Sequence, residues 1–239
     1  MRIVGTSVTQ EVDQLLDRLA ETVGRRSPRV LQIGSRSSVS DRNERNWRAL
    51  LARRFDRAQF IGIDLREGDN VDCRLDICGP LTTIRAGLGD QPFDLAICCH
   101  VLEHTKAPHR AARNIEAVLG AGGLAYLSTP WSQAFHPAPD DYWRFSMRGL
   151  ALLFGRLEIL SAFYCGGDVG LDVAYRLDRD GRPDLEARAA AVEQGLFQLV
   201  LDHEDNRAVL ARQATERLPV SRTYLPTLFV NLVGRRTPK

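Results

Sequence analysis

The chain of 239 residues lacks long apolar runs and a strong excess of charge, and both absences exclude classes of protein. No apolar stretch approaches the roughly 18 residues of a membrane-spanning helix, and the N-terminal segment has no apolar signal core. We therefore expect a soluble, cytoplasmic protein without a membrane partner. The formal net charge is +2, and the only basic pair that stands out is Arg235-Arg236, so no nucleic-acid partner is indicated.

The chain also lacks paired cysteine motifs. Its five cysteines include no C-x-x-C pair, and their number is odd. Cys98 and Cys99 are adjacent in an apolar segment, which is typical of buried free thiols. A reduced, intracellular protein without a disulfide framework is therefore expected.

The segment 29–64 has the pattern strand, glycine turn, helix, strand. Apolar runs at 30–33 and 60–63 flank a helical stretch, Gly34 follows the first run, and Asp64 ends the second. Short buried strands separated by a helix indicate a parallel sheet, in which ligands bind beyond the carboxyl ends of the strands. A glycine turn lets backbone N–H groups approach a ligand, and a strand-ending acid can accept two hydrogen bonds from a ribose. The pattern therefore predicts a cofactor that contains a nucleoside.

The rest of the chain continues the alternation of helices and strands. An amphipathic helix is predicted over 8–23, and Ser146 is a candidate N-cap for a helix that reaches Phe154. The other predicted strands are 71–75, 95–99, 124–128, 157–163 and 228–233, and the other predicted helices are 81–87 and about 109–119.

Four segments carry a specific resemblance. Residues 29–64 resemble the first half of a class I S-adenosylmethionine (SAM)-dependent methyltransferase, and 93–104 and 122–130 resemble that family's fourth and fifth strands. Residues 136–145, with the sequence HPAPDDYWRF, are similar to a loop of the small-molecule and sugar-modifying members, the type 11-like branch. The resemblance implies a Rossmann-like α/β fold, a doubly wound, mostly parallel seven-stranded sheet with an antiparallel last strand. It also implies methyl transfer from SAM, with S-adenosylhomocysteine (SAH) as the product.

The resemblance divides the chain into three parts. Residues 1–167 would form the SAM-binding core, and 227–239 would return as the last strand of its sheet. Between the sixth and last strands lie roughly 60 residues, too many for a bare loop. We interpret 168–226 as a helical insertion that caps the substrate site or forms a homodimer surface.

The resemblance also assigns cofactor contacts. The family's glycine loop usually reads G-x-G-x-G, whereas here Gly34 is followed by Ser37 and Ser38 where later glycines would fall. Asp64 would bind the ribose diol and Asp76 the adenine amino group, although an ordinary turn or helix cap is the alternative for each. The expected cofactor contacts are Gly34, Ser35, Arg36, Asp64, Leu65, Asp76, Ile77, Cys99 and His100.

Methyl transfer is an in-line displacement, so the protein mainly positions donor and acceptor and, where needed, removes a proton. His104 and His136 are the candidate catalytic residues, each as a base or as an acceptor contact. Polar and aromatic side chains alternate in the loop 136–145, as suits a hydroxylated small molecule. Substrate contacts are expected from Asp140, Tyr142 and Arg144; the alternative is a structural turn in which Arg144 pairs with Asp140 or Asp141 and Trp143 fills the core.

Two other functions remain open from the sequence. Residues 100–104 match the zinc-peptidase motif H-x-x-E-H, for which Glu186 or Glu193 would supply a third ligand. The strand directly before the motif argues against this, and no metal is predicted. The reduced glycine loop leaves a non-catalytic SAM-binding or scaffold protein as the second alternative. The favoured function is methyl transfer to a hydroxyl or amine of a small-molecule or sugar-like acceptor.

Overall fold

The computed structural model describes residues 7–24, 26–36, 46–133, 135–136, 140–166, 174–177 and 228–238. These residues form one mixed sheet with helices on both faces. The strands are β1 (Arg29–Ile33), β2 (Gln59–Asp64), β3 (Cys73–Arg74), β4 (Phe93–Cys99), β5 (Leu119–Ser132), β6 (Leu157–Gly166), β7 (Ala174–Arg176) and β8 (Leu228–Arg236). The helices are α1 (Val8–Val23), α2 (Trp47–Arg54), α3 (Leu81–Leu88), α4 (Pro108–Val118) and α5 (Met147–Leu153), with a 3₁₀ turn at Leu102–His104.

The strand order is β3-β2-β1-β4-β5-β8-β6-β7. Strands β1 to β5 are parallel, whereas β8 runs antiparallel to both β5 and β6. Ile33 of β1 lies beside Ile63 of β2 and Cys98 of β4, so these three strands end at the same edge. The chain order reverses between β1 and β4, which is the place where such sheets bind ligands.

The predicted fold class is confirmed, including the antiparallel last strand. In the described part of the chain the sheet has eight strands rather than the seven predicted. The additional strand, β7, pairs with the outer edge of β6 and lies inside the segment 168–226 that was predicted as a helical insertion. The remainder of that segment, including Glu186 and Glu193, lies outside the described residues.

Two layers of helices cover the sheet. On one face, α1 and α2 bury Leu15, Leu19 and Trp47 against strand residues such as Tyr126, whose ring centroid is 5.2 Å from that of Trp47. On the other face, α3, α4 and α5 pack with Leu31 and other strand residues. Neighbouring residues of a strand point to opposite faces, and this places Val30 and Leu31 in different halves of the core.

The predicted ends of several elements are close to the observed ones. Ser7 and Gln10 form a capping box at the start of α1, and Ser146 caps α5 by accepting a hydrogen bond from the backbone N–H of Gly149. Strand β5 differs, because it begins at Leu119 rather than Leu124 and pairs there with Phe93. The third strand is shorter than the predicted range 71–75.

All five cysteines are free thiols, as expected from the sequence. None of the helices in the described part of the chain combines the length and the apolar character needed to span a bilayer.

Candidate active site

The turn after β1 packs tightly against the end of β4. Gly34 has φ of +70°, and a Cβ there would lie 2.3 Å from Cγ2 of Val101, so both backbone conformation and space require glycine. The backbone N–H groups of Gly34 and Ser35 donate to the carbonyl oxygen of Ile63, at 2.9 and 3.1 Å. These two amides therefore join the turn to β2.

The next two predicted cofactor residues lie on different sides of the turn. The side chain of Ser35 is buried, and a Cβ at Gly62 would lie 2.5 Å from its Oγ, which finds no hydrogen-bond partner among the described residues. Arg36 is exposed and its side chain packs over Gly68, in the loop after β2. Ser35 therefore belongs to the interior of the turn, and Arg36 borders the edge of the site.

Asp64 ends β2 at the edge where the parallel strands finish. Its side chain is half-buried, and Oδ1 accepts a hydrogen bond of 3.0 Å from the backbone N–H of Arg66. No described residue donates to Oδ2. Leu65 follows with 56% of its surface exposed, so an apolar side chain lies next to the carboxylate. The pair offers one hydrogen-bond acceptor and one apolar surface to a ligand.

Asp76 and Ile77 have different environments. Asp76 is exposed, and its Oδ1 accepts from the backbone N–H of Cys78 at 2.8 Å, so one oxygen has the turn-forming role that was the alternative in the sequence. Ile77 is only 4% exposed and packs in the core, where the Asn114 side chain donates to its carbonyl oxygen. Its side chain presents little surface to an adenine ring.

The end of β4 is closed by His100. This residue has φ of +55°, an uncommon conformation for a non-glycine residue, and its backbone N–H donates to Ser128 at 2.9 Å. Its ring packs edge to face on Phe229 of β8, with centroids 4.4 Å apart. Cys99 thus ends β4 and His100 follows it, as predicted, and the carbonyl oxygen of Cys99 lies near Gly34.

The 3₁₀ turn contains a residue that the sequence did not single out. The side chain of Glu103 is fully buried, and neither carboxylate oxygen has a hydrogen-bond donor among the described residues. Its Oε1 lies 3.8 Å from Nδ1 of His100 and 3.9 Å from Nε2 of His104. Burial raises the pKa of Glu103 to about 8, although its own nearby backbone N–H and the charge of Arg144 oppose part of that increase. The H-x-x-E-H motif was the signal that contained this residue.

The loop after β5 packs on the 3₁₀ turn. The backbone N–H groups of Tyr142 and Trp143 donate to the carbonyl oxygen of Glu103, at 2.8 and 3.3 Å. The indole of Trp143 donates to Thr105, and Nδ1 of His104 lies 2.5 Å from the carbonyl oxygen of Asp140. These contacts hold the loop against the end of β4.

An ion pair organises the interior of this loop. Arg144 donates to both carboxylate oxygens of Asp141 and to the carbonyl oxygen of Gln133. The guanidinium holds the pKa of Asp141 far below its usual range. Asp141 Oδ2 also lies 3.3 Å from Nδ1 of His136 and accepts a hydrogen bond from that residue's backbone N–H. Of the two pairings left open in the sequence, Arg144 pairs with Asp141.

The other loop residues differ in their exposure. Tyr142 and Trp143 are 39% and 42% exposed, so Trp143 does not fill the core, whereas Phe145 is buried. Asp140 is exposed, and the hydroxyl of Tyr142 hydrogen-bonds its carboxylate, which lowers the pKa of Asp140. Asp140 and Tyr142 therefore form a polar pair on the outer surface of the loop.

The structure brings together the two histidines that were predicted to act in catalysis. The rings of His104 and His136 pack edge to face with centroids 5.0 Å apart. One ring nitrogen from each and a carboxylate oxygen of Glu103 lie within 4.8 Å of one another. The site thus consists of two half-buried imidazoles beside a buried acid, next to the turn of Gly34.

The family described as a methyltransferase domain matches residues 6–158, which is more than half of the chain. The chain belongs to this methyltransferase family. Its members are SAM-dependent, and the protein is a SAM-dependent methyltransferase. This activity replaces the scaffold and zinc-hydrolase alternatives that the sequence left open. No curated protein matches the chain by sequence.

Solved structures resemble this methyltransferase in fold. A candidate sarcosine dimethylglycine methyltransferase from Galdieria sulphuraria is 13% identical, with a TM-score of 0.51, covering 97% of this chain and 86% of that one. The [4+2]-cyclase SpnF is 18% identical, with a TM-score of 0.49, and covers 98% and 84%. The N-methyltransferase NodS from Bradyrhizobium japonicum WM9, crystallised with SAH, is 12% identical, with a TM-score of 0.49, and covers 97% and 89%.

Proposed function

We propose that this methyltransferase transfers the methyl group of SAM to a hydroxyl or amine of a small-molecule or sugar-like acceptor. The observation that carries the proposal is the convergence of His104 and His136 at the carboxyl end of β4. This is the edge at which open parallel sheets bind ligands, and Gly34 and Asp64 lie at the same edge.

The residues at the ends of β1 and β2 fit the nucleoside part of SAM. Asp64 Oδ2 has no donor among the described residues and suits a ribose hydroxyl, and the exposed side chain of Leu65 suits the face of an adenine. Gly34 and Arg36 would border the cofactor on the β1 side. When bound there, the cofactor supplies an electrophilic methyl group, and the residues of the chain position the acceptor in line with it.

The acceptor would enter between the 3₁₀ turn and the loop that follows β5. The carbonyl oxygen of Asp140 favours the His104 tautomer with a proton on Nδ1, and the lone pair then lies on Nε2. That nitrogen can accept a hydrogen bond or a proton from an acceptor hydroxyl or amine. Asp141 orients His136 in a similar way, because its carboxylate faces Nδ1. Tyr142 and Arg144 are proposed to border the acceptor pocket.

The test is methyl transfer from isotopically labelled SAM to a panel of hydroxyl- and amine-bearing small molecules, with a folded-protein mixture and total RNA as competing acceptors. We expect label in the small-molecule fraction, and a large loss of turnover in His104→Ala and His136→Ala. His109→Ala is the matched control, because His109 is exposed on α4. Label found only in protein or RNA would contradict the proposed acceptor class.

A further inference from the structure

The methyl-transfer reaction proposed above gives no role to the buried carboxylate of Glu103. It is fully buried, and neither oxygen accepts a hydrogen bond from a described residue. Leaving such a group unpaired in the interior is costly, and buried acids in proteins are normally paired, protonated or bound to a metal ion. The side chains around Glu103 therefore decide which partner its carboxylate can bind.

The neighbouring side chains have the arrangement of metal ligands. Nδ1 of His104 lies 2.5 Å from the carbonyl oxygen of Asp140, and its Nε2 lies 3.9 Å from Glu103 Oε1. Metal-binding histidines commonly donate their other ring N–H to a backbone carbonyl or a carboxylate, which fixes the tautomer and orients the ring. In the neutral tautomer that the Asp140 carbonyl favours, the lone pair of His104 Nε2 faces the carboxylate.

The ring of His136 is oriented by a carboxylate rather than by a backbone carbonyl. Its Nδ1 lies 3.3 Å from Oδ2 of Asp141, and Arg144 holds that carboxylate by two hydrogen bonds. One nitrogen of His136, one of His104 and one carboxylate oxygen of Glu103 lie within 4.8 Å of one another. Ligand atoms around a tetrahedral zinc ion are about 3.4 Å apart, so small side-chain movements would bring these three atoms to bonding distance.

We propose that Glu103, His104 and His136 bind a divalent transition-metal ion, with Zn²⁺ as the best match to two imidazole nitrogens and one carboxylate. This set differs from the one that the H-x-x-E-H motif suggested, because Glu103 takes the place of His100 and His136 the place of a downstream glutamate. Three protein ligands leave a coordination position open, as in catalytic rather than structural zinc sites.

The use of that open position rests on the proposed function. An acceptor hydroxyl bound to the ion loses its proton to solvent more readily, because the metal stabilises the negative oxygen. The oxygen then forms a bond to the methyl carbon while the carbon–sulfur bond breaks, and the electron pair remains on sulfur as SAH leaves. When the ion is bound, the two histidines would coordinate it, and solvent rather than a histidine would take the proton of the acceptor.

The first test is metal binding by the full chain after removal of metal with a chelator. Cobalt(II) is the probe, because its visible absorption reports coordination by protein nitrogen and oxygen, and zinc competition gives the affinity. We expect one cobalt ion per chain, displaced by one zinc ion. A protein that binds SAH but shows no cobalt spectrum and no stoichiometric zinc overturns the metal site and leaves the methyltransferase function intact.

Variants then identify the ligands. His136→Ala and Glu103→Gln should abolish the cobalt spectrum, and Asp141→Asn should weaken zinc binding by about 10–100-fold, as expected when the support of a ligand is removed. His109→Ala should bind metal like the original protein. An unchanged spectrum in His136→Ala, or an equal loss in His109→Ala, would refute the assignment. SAH binding by each variant checks that it is folded.

Activity distinguishes the site from its use. If added zinc restores methyl transfer to the metal-free original protein but not to His136→Ala, the result would support the open position as the acceptor position. Full turnover in chelator-treated, metal-free protein would show that the ion takes no part in methyl transfer, and the proposal for the open position would fail.

Discussion

Arg144 donates two hydrogen bonds to the carboxylate of Asp141, at 2.5 and 2.7 Å. The side chain of Asp141 is 1% exposed, and the same carboxylate faces His136. The ion pair therefore connects the loop after β5 to the pair of histidines. It explains how a loop that contains Pro137 and Pro139 can place an imidazole next to the end of β4.

The first prediction concerns this ion pair. Arg144→Lys keeps the charge but cannot reproduce the two parallel hydrogen bonds, so it should lower the free energy of unfolding by about 1–3 kcal/mol. It should also reduce methyl transfer, because the position of His136 depends on Asp141. Chemical denaturation and turnover are the measurements. Arg113→Lys, on an exposed position of α4, is the control and should change neither.

The second prediction concerns Gly34. Gly34→Ala introduces a Cβ 2.3 Å from Val101 and a strained φ of +70°, so it should destabilise the protein by more than about 1–2 kcal/mol. Adding Val101→Ala should restore part of that loss, since it removes the clash but not the strain. Gly155→Ala, with open space around its Cβ, should be close to neutral. Additive losses in the double variant would argue against the contact.

The third prediction concerns the proposed ribose contact. Asp64→Ala should weaken SAH binding by about 1–3 kcal/mol, the usual cost of losing a charged hydrogen-bond partner. Asp90→Ala serves as the control, because Asp90 is an exposed acid that precedes the first residue of β4 and so lies at the opposite edge of the sheet from Asp64. Isothermal titration with SAH measures both. Equal affinity for Asp64→Ala and the original protein would place the ribose elsewhere.

The fourth prediction concerns Glu103 in metal-free protein. Burial raises its pKa from the ordinary 4.5 to about 8, so between these values the folded protein binds more protons than the unfolded chain. Its contribution to the free energy of unfolding must then fall as pH rises from about 4.5 to 8. Denaturation across this range should show the fall, and Glu103→Gln should remove it. The same pH slope in both proteins would mean that Glu103 is not protonated in the folded state.

Much of the fold could be predicted from the sequence, because it depends on local patterns. Apolar runs separated by helical segments predicted β1, β2, β4 and the helices between them, and Ser146 marked the start of α5 correctly. Gly34 and Asp64 were placed at strand ends by their positions after apolar runs. Strand β7 was missed, because a three-residue strand at the edge of a sheet has no pattern of its own.

The sequence by itself determined the alternation of strands and helices, and with it the edge of the sheet at which we propose that the cofactor and the acceptor meet. Tertiary structure alone decided which polar residues share that edge. Glu103 is buried because the loop after β5 covers the 3₁₀ turn. His136 lies beside His104 because Arg144 pairs with Asp141, and the carboxylate of Asp141 faces His136. Ile77 enters the core for a similar reason, since Asn114 of α4 holds its carbonyl oxygen. Such contacts join residues far apart in the chain, and no local pattern encodes them.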